Sequence, residues 1–408
     1  MNKVYLIRGK KLVTVSDHGT IYNGGLVISN GKIQDIGDWE QLKNRYCTIK
    51  VIDCSDYVIT PSLVDCHTHL LEFAPSSLYP VSPATHLWAG RAILFHALSS
   101  GITALGEQIC GHPYCDFSIE DYRKAAARLP MDISFAATSI SIGFNNLAHF
   151  TAVTQSQPIE KNSLSDPLLV RKIAEKSDFP GENIFINATP ANFTAEDVPR
   201  AGEIMYNLQE LKQVADLYHK LNKKIGAHVA GEKGIEWALE AGVDVLHHAH
   251  GITDEQIEKA AKQQVKIVAT PMGGTHLPPN SPEEIVKLVK KNIVVSIATD
   301  AYLPPYPGVS WLPFQTNSLQ GPDVLMLIAQ PAMQLLQKHQ FNENEILALL
   351  TANPAAILGK EKQFGRLEKG MDANFIISTG IPGLEINDTD QIKKVFFRGE
   401  EVINRLDH

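Results

Sequence analysis

The spacing of hydrophobic positions divides the chain into two β-patterned ends and a middle of another kind. Residues 1–60 alternate and turn like short strands. VYLIRGKKLVTV is followed by GGLVISNGKIQDIG, where Asn30-Gly31 is a strong hairpin signal. VIDCSDYVIT then runs into Pro61. Toward the other end, GRLEKGMDANFIIS and IKKVFFRGEEVIN, with a turn at Gly399, read the same way. Segments 1–60 and 361–408 are therefore expected to pair into one small sheet domain.

The middle, 61–360, alternates short apolar runs with helical stretches. Eight runs read as strands: SLVDCHTHL, ITALGEQ, DISFAATS, NIFINAT, KIGAHVA, VDVLHHAH, KIVATPM and IVVSIATD. Between them lie helical patterns such as PATHLWAGRAILFHALSSG, AGEIMYNLQELKQVADLYHKL and SPEEIVKLVKK. Strands alternating with helices indicate βαβ units and a parallel sheet, and eight such units point to an α/β fold of the (β/α)8 barrel type. An open doubly wound sheet is the other arrangement this pattern allows. No GxGxxG or GxxxxGK[ST] loop follows any strand, which disfavours its nucleotide-binding form.

Composition narrows the function classes. Of 408 residues 44% are hydrophobic, enough for a large core. Lys plus Arg number 37 against 45 for Asp plus Glu, a net charge of −8, and no basic stripe is present, so nucleic acid is not an expected partner. No uncharged apolar stretch of about 18 residues occurs, so no membrane span is expected. Arg8, Lys10 and Lys11 interrupt the first apolar run, unlike a signal peptide. Five cysteines, an odd number without a CxxC pair, fit a reducing compartment, and a cytoplasmic location is expected.

The chemistry concentrates at expected strand ends. In Asp65-Cys66-His67-Thr68-His69 the two histidines are at i and i+2, so a strand aims both imidazoles the same way. Imidazole is a common ligand for zinc and similar ions. GAHVAGEKGIEWALEAGVDVLHHAHG places His228 and His248 at the ends of successive strands. The helix between them carries Ile235, Ala238 and Leu239 at helical spacing, with Gly242 suited to its C-cap. His247 should point away from His248 and reads as a packed or supporting group. His250 has the parity of His248 but lies past the expected strand end, and is a reserve ligand. Asp300 ends the eighth strand, where a carboxylate can bind metal or take a proton from water. Alone, each piece has a structural reading; Asp300, for example, suits an N-cap. Their shared end of a barrel is hard to obtain without a site.

These segments resemble the amidohydrolase superfamily of metal-dependent hydrolases, in its imidazolonepropionase- and prolidase-like branch, over nearly the whole chain. ITPSLVDCHTHL is similar to the strand-one motif, with Ser62 where glycine is usual. GITALGEQ, AHVAGEKGIEWALEAGVDVLHH and ATD resemble later motifs in order. TANPAAILGK and GRLEKGMDANFII resemble the exit from the barrel, with Asn374 where aspartate is usual. The resemblance implies a (β/α)8 barrel with a small β-sandwich built from both termini. It implies that His67, His69, His228 and Asp300 surround a divalent metal, zinc in the first place, with iron or manganese as alternatives. His248 would hold a second ion or polarise substrate or water. Asp300 would be the base toward metal-activated water, which attacks a C–N bond.

The sequence also departs from the pattern. Many two-metal relatives bridge the ions with a carbamylated lysine on strand four, but NIFINATPANF has no lysine. Asn187 is a poor bridge because an amide brings no charge. Glu107 is on strand two, and reads equally as a supporting glutamate. One tightly held ion is therefore favoured over two. Deaminases of the superfamily often carry glutamate three residues after the strand-five histidine. Here Gly231 stands there, with Glu232 next. The expected reaction is hydrolysis of an uncharged or weakly charged small amide, cyclic or N-acylated. The alternatives are an ammonia-releasing aminohydrolase acting on a heterocycle and a non-catalytic barrel scaffold. PMGGTHLPPNSP, with His276, and AYLPPYPGVSWLPF, with Tyr302, Tyr306, Trp311 and Phe314, either line a pocket or pack onto the barrel. Cys110, His112 and Cys115 do not have the spacing of a closed zinc module. No feature decides whether the chain forms a homo-oligomer.

Overall fold

The computed structural model describes residues 4–73, 83–110, 118–138, 166–188, 200–314 and 318–406, with short pieces at 140–141, 148–150, 159–160, 192 and 196. The N-terminal strands are β1 (Val4–Val13), β2 (Thr20–Ser29), β3 (Lys32–Asp38) and β4 (Lys50–Pro61). The next three are β5 (Leu63–Thr68), β6 (Ile102–Ile109) and β7 (Asp132–Ala137). The short strands β8 (Ile140–Ser141), β9 (Ala148–Phe150) and β10 (Ile159–Glu160) make a small antiparallel sheet. Then come β11 (Ile184–Phe185), β12 (Gly226–Ala230), β13 (Val245–His250), β14 (Lys266–Ala269) and β15 (Val295–Ile297). The C-terminal strands are β16 (Phe375–Ser378), β17 (Ile392–Phe397) and β18 (Glu400–Asn404).

Both ends of the chain enter one seven-stranded sheet, in the order β18-β17-β16-β4-β1-β2-β3. Its hairpins use the turns that twisted antiparallel strands favour. Asn30 and Gly31 have φ of 52° and 76°, and Arg398 and Gly399 have 47° and 72°, all left-handed. The sheet rolls over, so that Ile33 N donates to Met371 O at 2.9 Å and Ala373 N to Gly31 O at 2.8 Å. Ile7, Leu26, Ile28, Ile59, Phe375 and Phe396 fill the space inside the roll.

Each of the eight expected central runs carries a strand, giving a mixed α/β architecture. The strands lie in two parallel sheets, β5-β6-β7 and β11-β12-β13-β14-β15. Every residue of β5, β6, β12 and β13 is buried, as continuous apolar runs with both faces covered require. The ladders stop short of a closed cylinder, yet hydrogen bonds cross both gaps. Asp300 N donates to His67 O at 3.0 Å and His69 N to Ala301 O at 2.9 Å, joining the chain after β15 to β5. Asp178 N donates to Phe135 O at 2.7 Å, joining β7 to the chain before β11.

The helices form where local signals place them. Leu208–Lys220 starts at a capping box in which Asn207 and Glu210 satisfy each other's backbone N–H, and buries Leu211, Val214, Ala215 and Tyr218. That box explains why the helix begins at 208 although the apolar pattern starts earlier: Ile204 is instead bridged to Asn187. Glu232–Ala241 buries Ile235, Ala238 and Leu239 and ends at Gly242, φ 82°. No helix among the described residues is long and apolar enough to cross a membrane.

Candidate metal centre

Five expected ligands meet at one end of the parallel sheets. His67 is in β5 and His69 follows it; His228 is in β12, His248 in β13, and Asp300 three residues past β15. All are buried. Asp300 Oδ1 lies 3.3 Å from His67 Nε2 and 3.4 Å from His69 Nε2, and Oδ2 is 4.0 Å from His248 Nδ1.

A sixth group joins them that sequence reasoning missed. The Glu182 carboxylate lies between the two pairs of imidazoles. Oε1 is 2.6 Å from His228 Nδ1 and 2.8 Å from His248 Nε2. Oε2 is 3.6 Å from both His67 Nε2 and His69 Nε2. The strand-four region thus supplies a charged bridge after all, but from the turn before β11. Asn187, weighed for this place, lies elsewhere: its Oδ1 accepts from Ala230 N at 2.8 Å and its Nδ2 donates to Gly202 O at 3.1 Å.

Backbone distortion helps to aim the β13 side chains. His248, Ala249 and Asp300 have φ of 69°, 51° and 51°, left-handed values that non-glycine residues adopt at a cost. Val229 pairs with His248 but Ala230 pairs with His250, so Ala249 is an extra residue in the β13 ladder. Simple alternation fails here. His247 was expected to face away from His248, yet both rings contact His67, with centroids 4.8 and 5.0 Å from it. His247 sits behind His67, in line with its reading as a supporting group.

His250 is not among the clustered ligands. Its Nδ1 lies 2.8 Å from Thr275 Oγ1 and its Nε2 3.2 Å from Thr270 Oγ1, which ties β13 to the loop after β14. Thr270 spends its one hydrogen on Gly273 O, at 2.6 Å, so it accepts from His248 Nδ1 at 2.7 Å. Nδ1–H on His248 leaves its Nε2 facing Glu182. Glu107 takes the supporting role: its carboxylate accepts from Thr68 Oγ1, Leu70 N and Leu71 N, fixing the end of β5.

The electrostatics are those of a site built for positive charge. Burial pushes the Glu182 carboxyl up, but His67, His228 and His248 outweigh it and hold the group well below its ordinary 4.5. Burial likewise opposes ionisation of Asp300, and His67, His69 and His248 pull it far below its ordinary value. Burial disfavours charge on His69, yet hydrogen bonds with Asp300, Cys110 and Glu182 raise it well above 6.5. The metal-free protein should respond to pH accordingly. Stability from the two carboxylates is complete above about pH 4.5 and drains as pH falls through their low native values. Stability from His69 is complete below about 6.5 and drains as pH rises through its high native value. Thermal melts of chelator-treated protein should therefore peak between these limits; a melting temperature still climbing above pH 8 would contradict the assignment.

The donor set fits a divalent cation. His67 Nε2, His228 Nε2 and Glu182 Oε2 are buried without hydrogen-bond partners, which is costly unless an ion takes them up. Three overlapping triads have donor atoms within 4.8 Å of one another: His67-His248-Asp300, His67-His69-Glu182 and Glu182-His228-His248. Imidazole and carboxylate suit zinc, iron and manganese alike.

The loop after β14 closes over these groups. Gly274 has φ 118°, and a Cβ there would overlap Asp300 Oδ2 and His248 Cε1. Its N–H donates to Asn192 Oδ1 at 2.7 Å, while Asn192 Nδ2 donates to Pro304 O at 2.6 Å, clasping three loops together. Gly274→Ala should displace Asp300 or His248 and cost about 1–3 kcal/mol of stability by overpacking. Turnover in that variant should fall at least tenfold; unchanged kcat and melting temperature would refute the close approach. Tyr302, Trp311 and Phe314 pack against the core, and Tyr306 donates to His276 O at 3.3 Å, so these aromatics hold the loops down. Cys110 is buried beside His69, while His112 and Cys115 lie outside the described residues. Glu232 is exposed in the first turn of its helix and is not among the clustered groups.

Comparison with known proteins shows what the chain is similar to. The sequence profile described as "Amidohydrolase family" matches residues 58–402. An imidazolonepropionase of Treponema denticola is 25% identical, over 93% of this chain and 92% of that protein. One from Pyrobaculum arsenaticum is 40% identical over 74 residues, a local match covering 16% of this chain and 19% of that protein. Among solved structures, a Xaa-Pro dipeptidase with bound methionine in its active site superposes with a TM-score of 0.72 at 17% identity, covering 98% of this chain and 99% of the other. That likeness is one of fold.

Proposed function

We propose that the chain, which belongs to the amidohydrolase family, hydrolyses a C–N bond of a small molecule at a divalent-metal centre held by His67, His69, His228, His248, Glu182 and Asp300. In this reading residues 61–360 form a (β/α)8 barrel, to which the two parallel sheets belong, and residues 1–60 and 361–408 form the second domain. The observation that carries the proposal is Glu182, a buried carboxylate between two pairs of imidazoles, with its own Oε2 and the Nε2 atoms of His67 and His228 lacking hydrogen-bond partners. Its central position favours two ions over the single ion expected from the sequence, with His67 and His69 on one side and His228 and His248 on the other.

When bound, a divalent ion acidifies water and polarises a carbonyl. The chain's own groups do the rest. Asp300, its carboxylate beside His67 and His69, accepts the proton that water loses as its oxygen bonds to the substrate carbon. As the C–N bond breaks, that proton passes to the departing nitrogen. His248, with Nδ1 fixed on Thr270, presents Nε2 to the centre. Gly274 and the clasped loops limit water over Asp300.

A panel of N-acylated and cyclic amides tests this reading. Turnover should require metal, stop on chelation and return with zinc, manganese or iron. Ammonia as the product from a heterocycle would favour an aminohydrolase instead; the exposed Glu232 speaks against that outcome. Full turnover in rigorously chelated protein would overturn the metal centre.

A further inference from the structure

We propose that His247 is a positioning residue that ties His67 to the segment carrying Glu182 and fixes which nitrogen of His67 is free for a cation. The inference rests on the metal-centre reading above. His247 is wholly buried. Its Nδ1 lies 2.8 Å from His67 Nδ1, and its Nε2 lies 3.0 Å from Pro180 O.

The donors settle the direction of each bond. A carbonyl only accepts, so His247 Nε2 carries a hydrogen. One hydrogen lies between the two Nδ1 atoms. Placed on His247, it would make that ring a buried cation whose hydrogen-bond partners are an imidazole and a carbonyl, neither of them a carboxylate. The hydrogen therefore belongs to His67 Nδ1. His67 Nε2 is then left with its lone pair. That atom has no hydrogen-bond partner and lies 3.3 Å from Asp300 and 3.6 Å from Glu182, where the cation belongs. A second bond on the far nitrogen of a ligating histidine is the usual way its tautomer and orientation are fixed.

The other end of the relay acts on Glu182. Pro180 is two residues before Glu182, so the His247–Pro180 bond anchors the turn that delivers the bridge. The same turn presses on β12: a Cβ at Gly226 would overlap Gly181 O. Held by His247 on one side and stopped by Gly226 on the other, residues 180–182 have little room to shift. One ring thereby sets a ligand of β5 and a ligand of the turn before β11 in register.

Cobalt(II) affinity of the full chain, measured by chelator competition, tests the inference. His247→Leu should bind cobalt about 10–100-fold more weakly. His247→Asn puts an acceptor near the Nδ1 position and should recover most of the affinity, whereas His247→Gln reaches toward Pro180 without serving His67 and should remain weak. In cobalt-loaded wild type, the shifted Nδ1–H resonance of His67 should exchange slowly with solvent, and it should be lost in the leucine variant. If leucine prevents folding, the asparagine–glutamine pair and the wild-type resonance still decide. Wild-type affinity in His247→Leu, equal affinity in the asparagine and glutamine variants, or a fast-exchanging His67 N–H would overturn the role of His247. Wild type that binds no cobalt would instead remove the metal-centre reading itself.

Discussion

Glu182→Gln should empty the centre. The carboxylate is the charge shared by four imidazoles, and glutamine keeps its volume while removing that charge. Zinc affinity should fall by more than about 100-fold, beyond the usual effect of losing a supporting group. Turnover should fall with it. The metal-free protein should also lose stability, because removing one partner of a buried charged cluster leaves the others uncompensated, at about 3–5 kcal/mol. Calorimetric zinc titration and thermal melts of the metal-free variant measure both effects. A variant that binds zinc like wild type would show that Glu182 is only a structural acceptor for His228 and His248.

Asp300→Asn should separate chemistry from assembly. Position 300 has φ 51°, and asparagine is among the few residues that adopt left-handed backbone readily, so the turn after β15 should survive. Asp300 N still donates to His67 O, because that bond is made by the backbone. Four histidines and Glu182 remain to hold metal. Loss of the proton acceptor should then lower kcat by about 10²–10⁴-fold, with metal content near that of wild type. Unchanged kcat on a good amide substrate would refute Asp300 as the base, and loss of metal together with activity would make it chiefly a ligand.

Much of this arrangement was legible in the chain because burial writes itself plainly. Strands covered on both faces appear as apolar runs, and all eight central runs became strands. His67, His69, His228 and Asp300 were readable because each closes such a run. Glu182 was not, for two physical reasons. The strand it serves pairs only through Ile184 and Phe185, so its limits are faint in the pattern. Its carboxylate comes from the Pro-Gly-Glu turn before the strand, whereas ligands in this fold are expected past the strand end, where Asn187 stands. Charge balance was the available signal: four imidazoles and one aspartate are a poor counterweight for divalent ions, so a second buried acid was due. That the His247 and His248 rings both approach His67 was hidden for another reason. Period-two alternation presumes a regular ladder, and the extra residue Ala249 with its left-handed neighbour breaks that rule.

The most direct measurement is anomalous scattering from crystals of the zinc-loaded protein, collected at the zinc edge. The account predicts peaks touching the Glu182 carboxylate, flanked by His67 and His69 on one side and by His228 and His248 on the other. Zinc bound elsewhere, or a Glu182 carboxylate turned away from the ion, would contradict it.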